Sequence, residues 1–371
     1  MKHDRHFAKL TACLCAALLC CGCQSPVQLK QRAAVQGLGL DRAGGLWQLT
    51  LQIFDPRGGE DGGGEGSYAL LHGSGDTLAA AFDSAAVRCG QEIFLGSARV
   101  LAVGSGAAVS LRQALEYLSG DPQVSPALMV VQARGAADAI FPAQNGSQGR
   151  TSPAGALRRQ LQLAEKDGRL PPCRLMDLLA DLAAPGDGCI LPLAAPAQDG
   201  MPALEGGAVL GGGALRGTLT PQQLEALGLA RRGAGALAVS FAGPDGQPAS
   251  ALLEHFDSRV EVQVRGGRLH IAAALRASGR VTEWRAPPAG QLNGPRPDSL
   301  GHAAAGLMAR RFSAALAQLC AMGCDPLRLA DRLRRSDPAG WAALAAAPGG
   351  WEAALARADW EVQARCTLRP R

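Results

Sequence analysis

Residues 260–275 read VEVQVRGGRLHIAAAL. Val260, Val262 and Val264 alternate with Glu261, Gln263 and Arg265, and beyond Gly266-Gly267 the residues Leu269, Ile271, Ala273 and Leu275 alternate again. A period of two places the apolar side chains on one face of a strand, and paired glycines supply the positive φ that a tight turn requires. The stretch therefore predicts an antiparallel hairpin with one buried and one wet face. An earlier pair behaves alike. Ala34–Leu40 leads through a five-residue turn at 41–45 into Leu46–Phe54, where Trp47, Leu49, Leu51 and Ile53 alternate with Gln48, Thr50 and Gln52; this predicts a second hairpin and a half-buried strand.

Between the hairpins the period changes. Asp76 is placed to cap a helix running to Cys89, with Leu78, Phe82 and Ala86 on one face. A strand is expected at 96–103, a helix at 107–119, a buried strand at 127–133, a short helix at 135–141, and helices at 153–167 and 172–182. Strands separated by helices of this length predict an α/β (α+β) body of mixed β-sheets with packed helices. The glycine-rich stretch 58–66 reads as a mobile loop, and Ala183–Gly207, rich in Pro, Gly and Ala, as the loosest part of the chain, with the main domain boundary near residue 200. After it, Thr220-Pro221-Gln222-Gln223 spells a helix start in which Thr caps, Pro takes the first turn and Gln223 reaches back. A strand at 236–241, a loop at 287–297, a long amphipathic helix at 299–322 carrying Met308, Phe312, Leu316 and Leu319, a helix at 326–335, and a closing strand at 360–368 complete the expectation.

The chain opens on a basic leader, Lys2, Arg5 and Lys9, followed by an uncharged apolar run from Leu10 to Cys21 and then Gly22-Cys23. Such a run is too short for the ~20 residues that span a bilayer, so residues 1–22 are expected to be an exported signal peptide, here of lipoprotein type with Cys23 as the acylated N-terminus. Acyl chains contribute about 0.8 kcal/mol per buried CH₂, enough to hold a domain on a membrane once more than one is attached. The remaining body is expected to divide into 23–200 and 201–371. Loss of Lys2, Arg5, Lys9 and Asp4 takes the formal charge from +5 to +3, too little to imply nucleic acid.

Catalytic chemistry is not legible. Four histidines follow the leader (His72, His255, His270 and His302), none in a metal spacing or beside a nucleophile motif. No hydrolase elbow, zinc-protease helix or phosphate loop is spelled. Gly206–Gly217 is glycine-rich without the pattern of a phosphate cradle. Cys89, Cys173, Cys189, Cys320, Cys324 and Cys366 are scattered and complete no zinc set; they read as small buried hydrophobes, with their disulfide state left open. The charges at Arg328, Asp331, Arg332, Arg334 and Arg335 read as a solvated helix face, and His270 as a solvated histidine on the outer side of its strand. No catalytic, cofactor-binding or metal-ligating residue is assigned.

Taken in order, these elements resemble the Ger(x)C family, the lipoprotein C subunits of bacterial spore germinant receptors. Gln36-Gly37-Leu38-Gly39-Leu40-Asp41 is similar to the family's G-I-G-I-D opening, and Ile93–Val100 resembles its F-x-G-H-x-R-V block, with Ser97 where the family has His. Leu115–Gln132, with Asp121-Pro122, resembles its R-D-P-E-I segment and the strand that follows. Gly217–Leu229 and the 260–275 hairpin resemble the start of its C-terminal domain; Cys324-Asp325-Pro326 through Trp341 and the terminal strand resemble its close. Gln24 stands where the family often has Trp. The resemblance implies an elongated, three-part α/β body with no known enzymatic activity and no cofactor. It further implies a body tethered beside integral membrane A- and B-type receptor subunits, on the outer face of the inner spore membrane or on the cell membrane. The competing expectation is a lipid-anchored substrate-binding protein of an importer, which would require two doubly wound lobes around a polar cleft.

Overall fold

The computed structural model describes residues 32–55, 68–143, 152–186, 188–196, 201–232, 236–284 and 297–370. The leader with Cys23, the glycine-rich loop at 58–66 and nearly all of the 287–297 loop lie outside the described residues.

The first hairpin is β1 (Arg32–Ala43) and β2 (Leu46–Phe54). Its strands pair as far as Ala43↔Leu46, so the turn is only Gly44-Gly45, at φ +59° and +85°, and not the expected five residues. Two residues with positive φ match the strand twist, and glycine adopts that conformation without steric cost. β3 (Tyr68–Gly75), which the sequence did not announce, extends the meander antiparallel to β2. Helix α1 (Leu78–Cys89) is capped by Thr77, not Asp76: the Thr77 hydroxyl accepts the Ala80 N–H at 3.1 Å.

The short β4 (Glu92–Phe94) runs parallel to the start of β1. A 3₁₀ turn at Leu95–Ser97 delays the next strand, β5 (Val100–Val103), and another at Ala108–Ser110 precedes α2 (Leu111–Ser119). β6 (Met129–Ala133) is followed by a 3₁₀ turn at Asp138–Ile140 where a short helix was expected. Helices α3 (Pro153–Lys166) and α4 (Leu175–Leu182) lead to β7 (Cys189–Pro196), β8 (Pro202–Gly211) and β9 (Ala214–Leu219). The 183–207 stretch is thus largely strand. Its looseness in sequence has a physical source: Pro192 has no N–H for the ladder, and the β7–β8 register shifts between Pro192 and Ala194.

These strands form one sheet in the order β3-β2-β1-β5-β6-β7-β8-β9, with β4 beside β1. Its centre, β1-β5-β6-β7, is parallel, and antiparallel strands flank it on both sides. The sheet runs past residue 200 to Leu219. Both faces are covered. In β5 the alternate residues Leu101 and Val103 enter a core with α1, α2 and α4, while Val100 and Ala102 enter another with α3 and the second half of the chain. The same cover corrects the half-buried reading of β2. Gln52 is fully buried, its amide donating to Gln36 Oε1 at 3.1 Å and its Oε1 accepting the Ala154 N–H at 3.0 Å.

The second half opens with α5 (Pro221–Arg232), where the expected capping box closes reciprocally. Thr220 N–H donates to Gln223 Oε1 at 2.9 Å, and Gln223 N–H to Thr220 Oγ1 at 3.3 Å. A four-stranded sheet follows in the order β10 (Leu237–Ala242), β11 (Pro248–Arg265), β12 (Arg268–Trp284), β13 (Asp359–Arg369). The β11–β12 hairpin turns at Gly266-Gly267 and is far longer than the sequence stretch that announced it; β13 returns parallel to β12. Between them lie α6 (Pro297–Met322), α7 (Leu329–Ser336), α8 (Pro338–Ala346) and α9 (Gly350–Ala356). Met308, Phe312, Leu316 and Leu319 of α6 are buried, as their stripe predicts. Where the resemblance implies three parts, the described strands fall into two sheets.

Candidate functional site

A cleft of about 1330 Å³ lies between α4 of the first half and α7 and β11 of the second. One wall is α4, through Asp177 and Ala180; the other is α7 with the residues just before it, and the floor is β11 from Arg259 to Val264. The cleft exists because of how α7 begins. Asp325 lies four residues before Leu329, and its carboxylate caps the helix: Oδ1 accepts the Leu329 N–H and Oδ2 the Ala330 N–H, each at 2.7 Å. Both are among the first-turn amides that a helix leaves without an internal partner. Asp325 is itself buried, and Gly186 and Gly188 of the first half press on it so closely that neither position has room for a Cβ. Burial raises the Asp325 pKa to about 7, opposed first by the Ala330 and Leu329 amides. The Trp351 indole stands close by but completes no hydrogen bond.

Arg328 makes the second joint. It is the one non-glycine residue in the left-handed region, at φ +56°, among those described. That backbone aims its guanidinium at Asp181 of α4, which is fully buried: Nε lies 2.9 Å and Nη2 2.8 Å from Oδ1. Arg332, one turn on, donates from Nη1 to the Val260 carbonyl at 3.3 Å. Arg328 departs from the solvated-face reading, while Arg332, Arg334 and Arg335 are exposed, as it expects. The sequence showed the charge density but not the buried aspartate 147 residues away that orients it. Asp331, Arg334 and Arg335 do form an exposed cluster, in which the two arginines hold the Asp331 carboxyl below its usual range.

Elsewhere the candidate chemistry stays dispersed. His72 contacts Thr50 at 3.3 Å, His302 Nδ1 lies 2.7 Å from the Asp298 carbonyl, and His270 stands half-buried 3.7 Å from Asp359. Among the described residues no three His, Cys, Asp or Glu side chains converge as a metal set. Cys173, Cys189, Cys320 and Cys324 are buried, and Cys89 and Cys366 partly so, all as free thiols. Burial pushes Cys173 and Cys320 up to about 12 and Cys366 to about 11, so these three are protonated and weakly nucleophilic at neutral pH. What the cleft offers is an open groove with a strand edge, backbone hydrogen-bonding groups and fixed arginines.

Comparison with known proteins identifies the family. The family described as "Spore germination protein N-terminal domain" matches residues 25–196, and that described as "Spore germination B3/ GerAC like, C-terminal" matches residues 205–370. No curated protein sequence matches the chain. A solved structure described as the crystal structure of the GerBC protein superposes with a TM-score of 0.58 at 15% identity, covering 90% of this chain and 96% of that one. At that identity the likeness concerns the fold, and the mixed-sheet architecture is shared. With both domain families matched in order from residue 25 to residue 370, the chain belongs to the Ger(x)C family of spore germination proteins.

Proposed function

We propose that this protein is the lipid-anchored, non-catalytic C subunit of a nutrient germinant receptor. It is tethered through Cys23 to the outer face of the inner spore membrane, beside integral membrane A- and B-type subunits. One observation carries the reading: the family match begins at residue 25, two residues after the cysteine that closes the apolar leader, and runs through both domain families. Everything after the acylated residue is then receptor body. We further propose that the chain divides near residue 200 into units 23–200 and 201–371, with β8 and β9 of the second unit completing the sheet of the first. Among the described residues no helix is long and apolar enough to cross a membrane. A tether of this kind confines the body to the plane of its partners, so that weak contacts stay occupied. The importer alternative requires two doubly wound lobes. The second sheet here is dominated by an antiparallel hairpin and supplies no such lobe.

Cys23→Ala tests the anchor. The variant should accumulate as an uncleaved precursor that takes up no radiolabelled fatty acid. Labelling at the wild-type level would move the lipid to Cys21 or elsewhere. In the same preparations, an affinity tag on the wild-type chain should bring two multi-span proteins out of mild detergent with it; recovery of the chain alone would count against the receptor reading.

A further inference from the structure

β10 pairs with β11 only between Pro248 and Leu253, whereas β11 continues to Arg265. Past Leu253, the side of β11 that faces away from β12 has no strand beside it among the described residues. The register says which groups that side presents. Arg265↔Arg268 flanks a two-residue turn and so exchanges both ladder hydrogen bonds with β12. Alternation then turns the N–H and C=O of Val264, Val262 and Val260, paired with Leu269, Ile271 and Ala273, away from β12. The Arg332 bond to the Val260 carbonyl lies on that outward side, as this requires. Six successive residues, 259–264, line the cleft. Side chains of neighbouring strand residues point to opposite faces, so what faces the cleft along this whole length is the backbone edge.

The charges of the cleft are nearly all matched. Arg328 is paired with Asp181, Arg335 with Asp331, and Arg259 with Glu261. On the opposite wall Asp177 Oδ2 is buried without a hydrogen-bond partner among the described residues and only approaches Arg174, at 3.8 Å, and Asp337 caps α8 through the Gly340 N–H. Arg332 has no carboxylate within 4.0 Å among the described residues; its attraction to Asp325 is longer-ranged. The unmatched charge beside the edge is therefore positive.

We propose that the cleft receives an extended segment of a partner polypeptide, added as a strand to the 260–264 edge of β11, with an acidic side chain set against Arg332. Strand addition supplies affinity through main-chain hydrogen bonds and specificity through alternate side chains. That the partner is a membrane subunit of the receptor rests on the function proposed above; the edge and its arginine do not.

The test uses the full-length lipoprotein in spores, with a photo-crosslinking residue in place of Ser336 on the facing wall of the cleft. Val264→Pro removes an outward N–H without touching the ladder to β12, a position where a strand tolerates proline, while Val264→Thr retains it. Arg332→Glu reverses the charge and covers the case in which the proline variant fails to accumulate. The expected result is a cross-link to one short stretch of a receptor membrane subunit. Its yield should fall at least about fivefold, the weight of one edge hydrogen bond, in Val264→Pro and Arg332→Glu, and persist in Val264→Thr. Equal yields in all variants, or no cross-link in spores where the subunits co-purify with the chain, would overturn the proposal. A variant-sensitive cross-link to an extended segment of a protein outside the receptor would uphold the edge and count against the receptor reading instead.

Discussion

Replacing Arg328 with Ala is expected to destabilise the protein by about 1–3 kcal/mol, because it removes the half-exposed cation that neutralises the buried Asp181 carboxylate. Asp181 is fully buried on α4, and the arginine that neutralises it comes from the other half of the chain. Without the cation, the carboxylate keeps its charge in a poorly solvated site, which is unfavourable. Arg328 also occupies the left-handed region at φ +56°, where a side chain costs about 1–2 kcal/mol that glycine avoids. Arg328→Gly should therefore be less damaging than Arg328→Ala by about that amount, although it loses the same ion pair. Urea unfolding of the variants measures both differences. Arg328→Ala should cost much less in an Asp181→Asn background than in the wild type. Equal costs in the two backgrounds would show that the pair does not join the halves.

The second large effect concerns pH. Asp325 is buried with its pKa raised from the ordinary 3.8 to about 7, mainly by loss of solvation. The folded protein therefore holds the Asp325 proton more tightly than the unfolded chain does. The stability it contributes is fully present below pH 3.8 and is lost as pH rises towards 7. Partly buried Glu225 and Asp41, whose pKa values are also raised by desolvation, act in the same direction. Asp325→Asn keeps an acceptor for the first turn of α7 and cannot ionise. The stability gap between the wild type and this variant should accordingly shrink by a few kcal/mol between pH 4 and pH 7.5. A gap that stays constant or widens over that range would mean that Asp325 is ionised throughout.

The parts of the fold legible in the sequence are those where one side is wet. The β11–β12 hairpin alternates because its outer face meets water, and the stripe of α6 repeats because only one side is buried. The central strands β5, β6 and β7 are buried on both faces, so Val100–Val103 reads as a continuous apolar run and Met129–Ala133 as one broken only by the buried Gln132, with no period to fix their ends. β3 was hidden because His72, Gly73, Ser74 and Gly75 have little strand character. Its small residues suit close packing on α1: Gly73 and Gly75 have no space for a Cβ against Ala80, Ala81 and Ala85. β7 and β8 were masked by their prolines and glycines. The cleft was the least legible feature. Arg328 and Asp181 lie 147 residues apart, and the free edge of β11 depends on where β10 stops, which no local pattern announces. The one local signal was Asp325-Pro326 at the expected start of a helix, where the aspartate proves to be the buried cap.

Family membership, with the tether and the strand edge proposed above, leads to one proposed role, that the protein holds a nutrient receptor together. The most direct measurement is germination of spores from a strain lacking this gene, challenged with each nutrient in turn. Loss of the response to one class of nutrient is expected, with other routes of germination intact, and the Cys23→Ala strain should show a partial form of the same defect. Deletion spores that answer every nutrient normally, with no second copy of the gene to substitute, would contradict it.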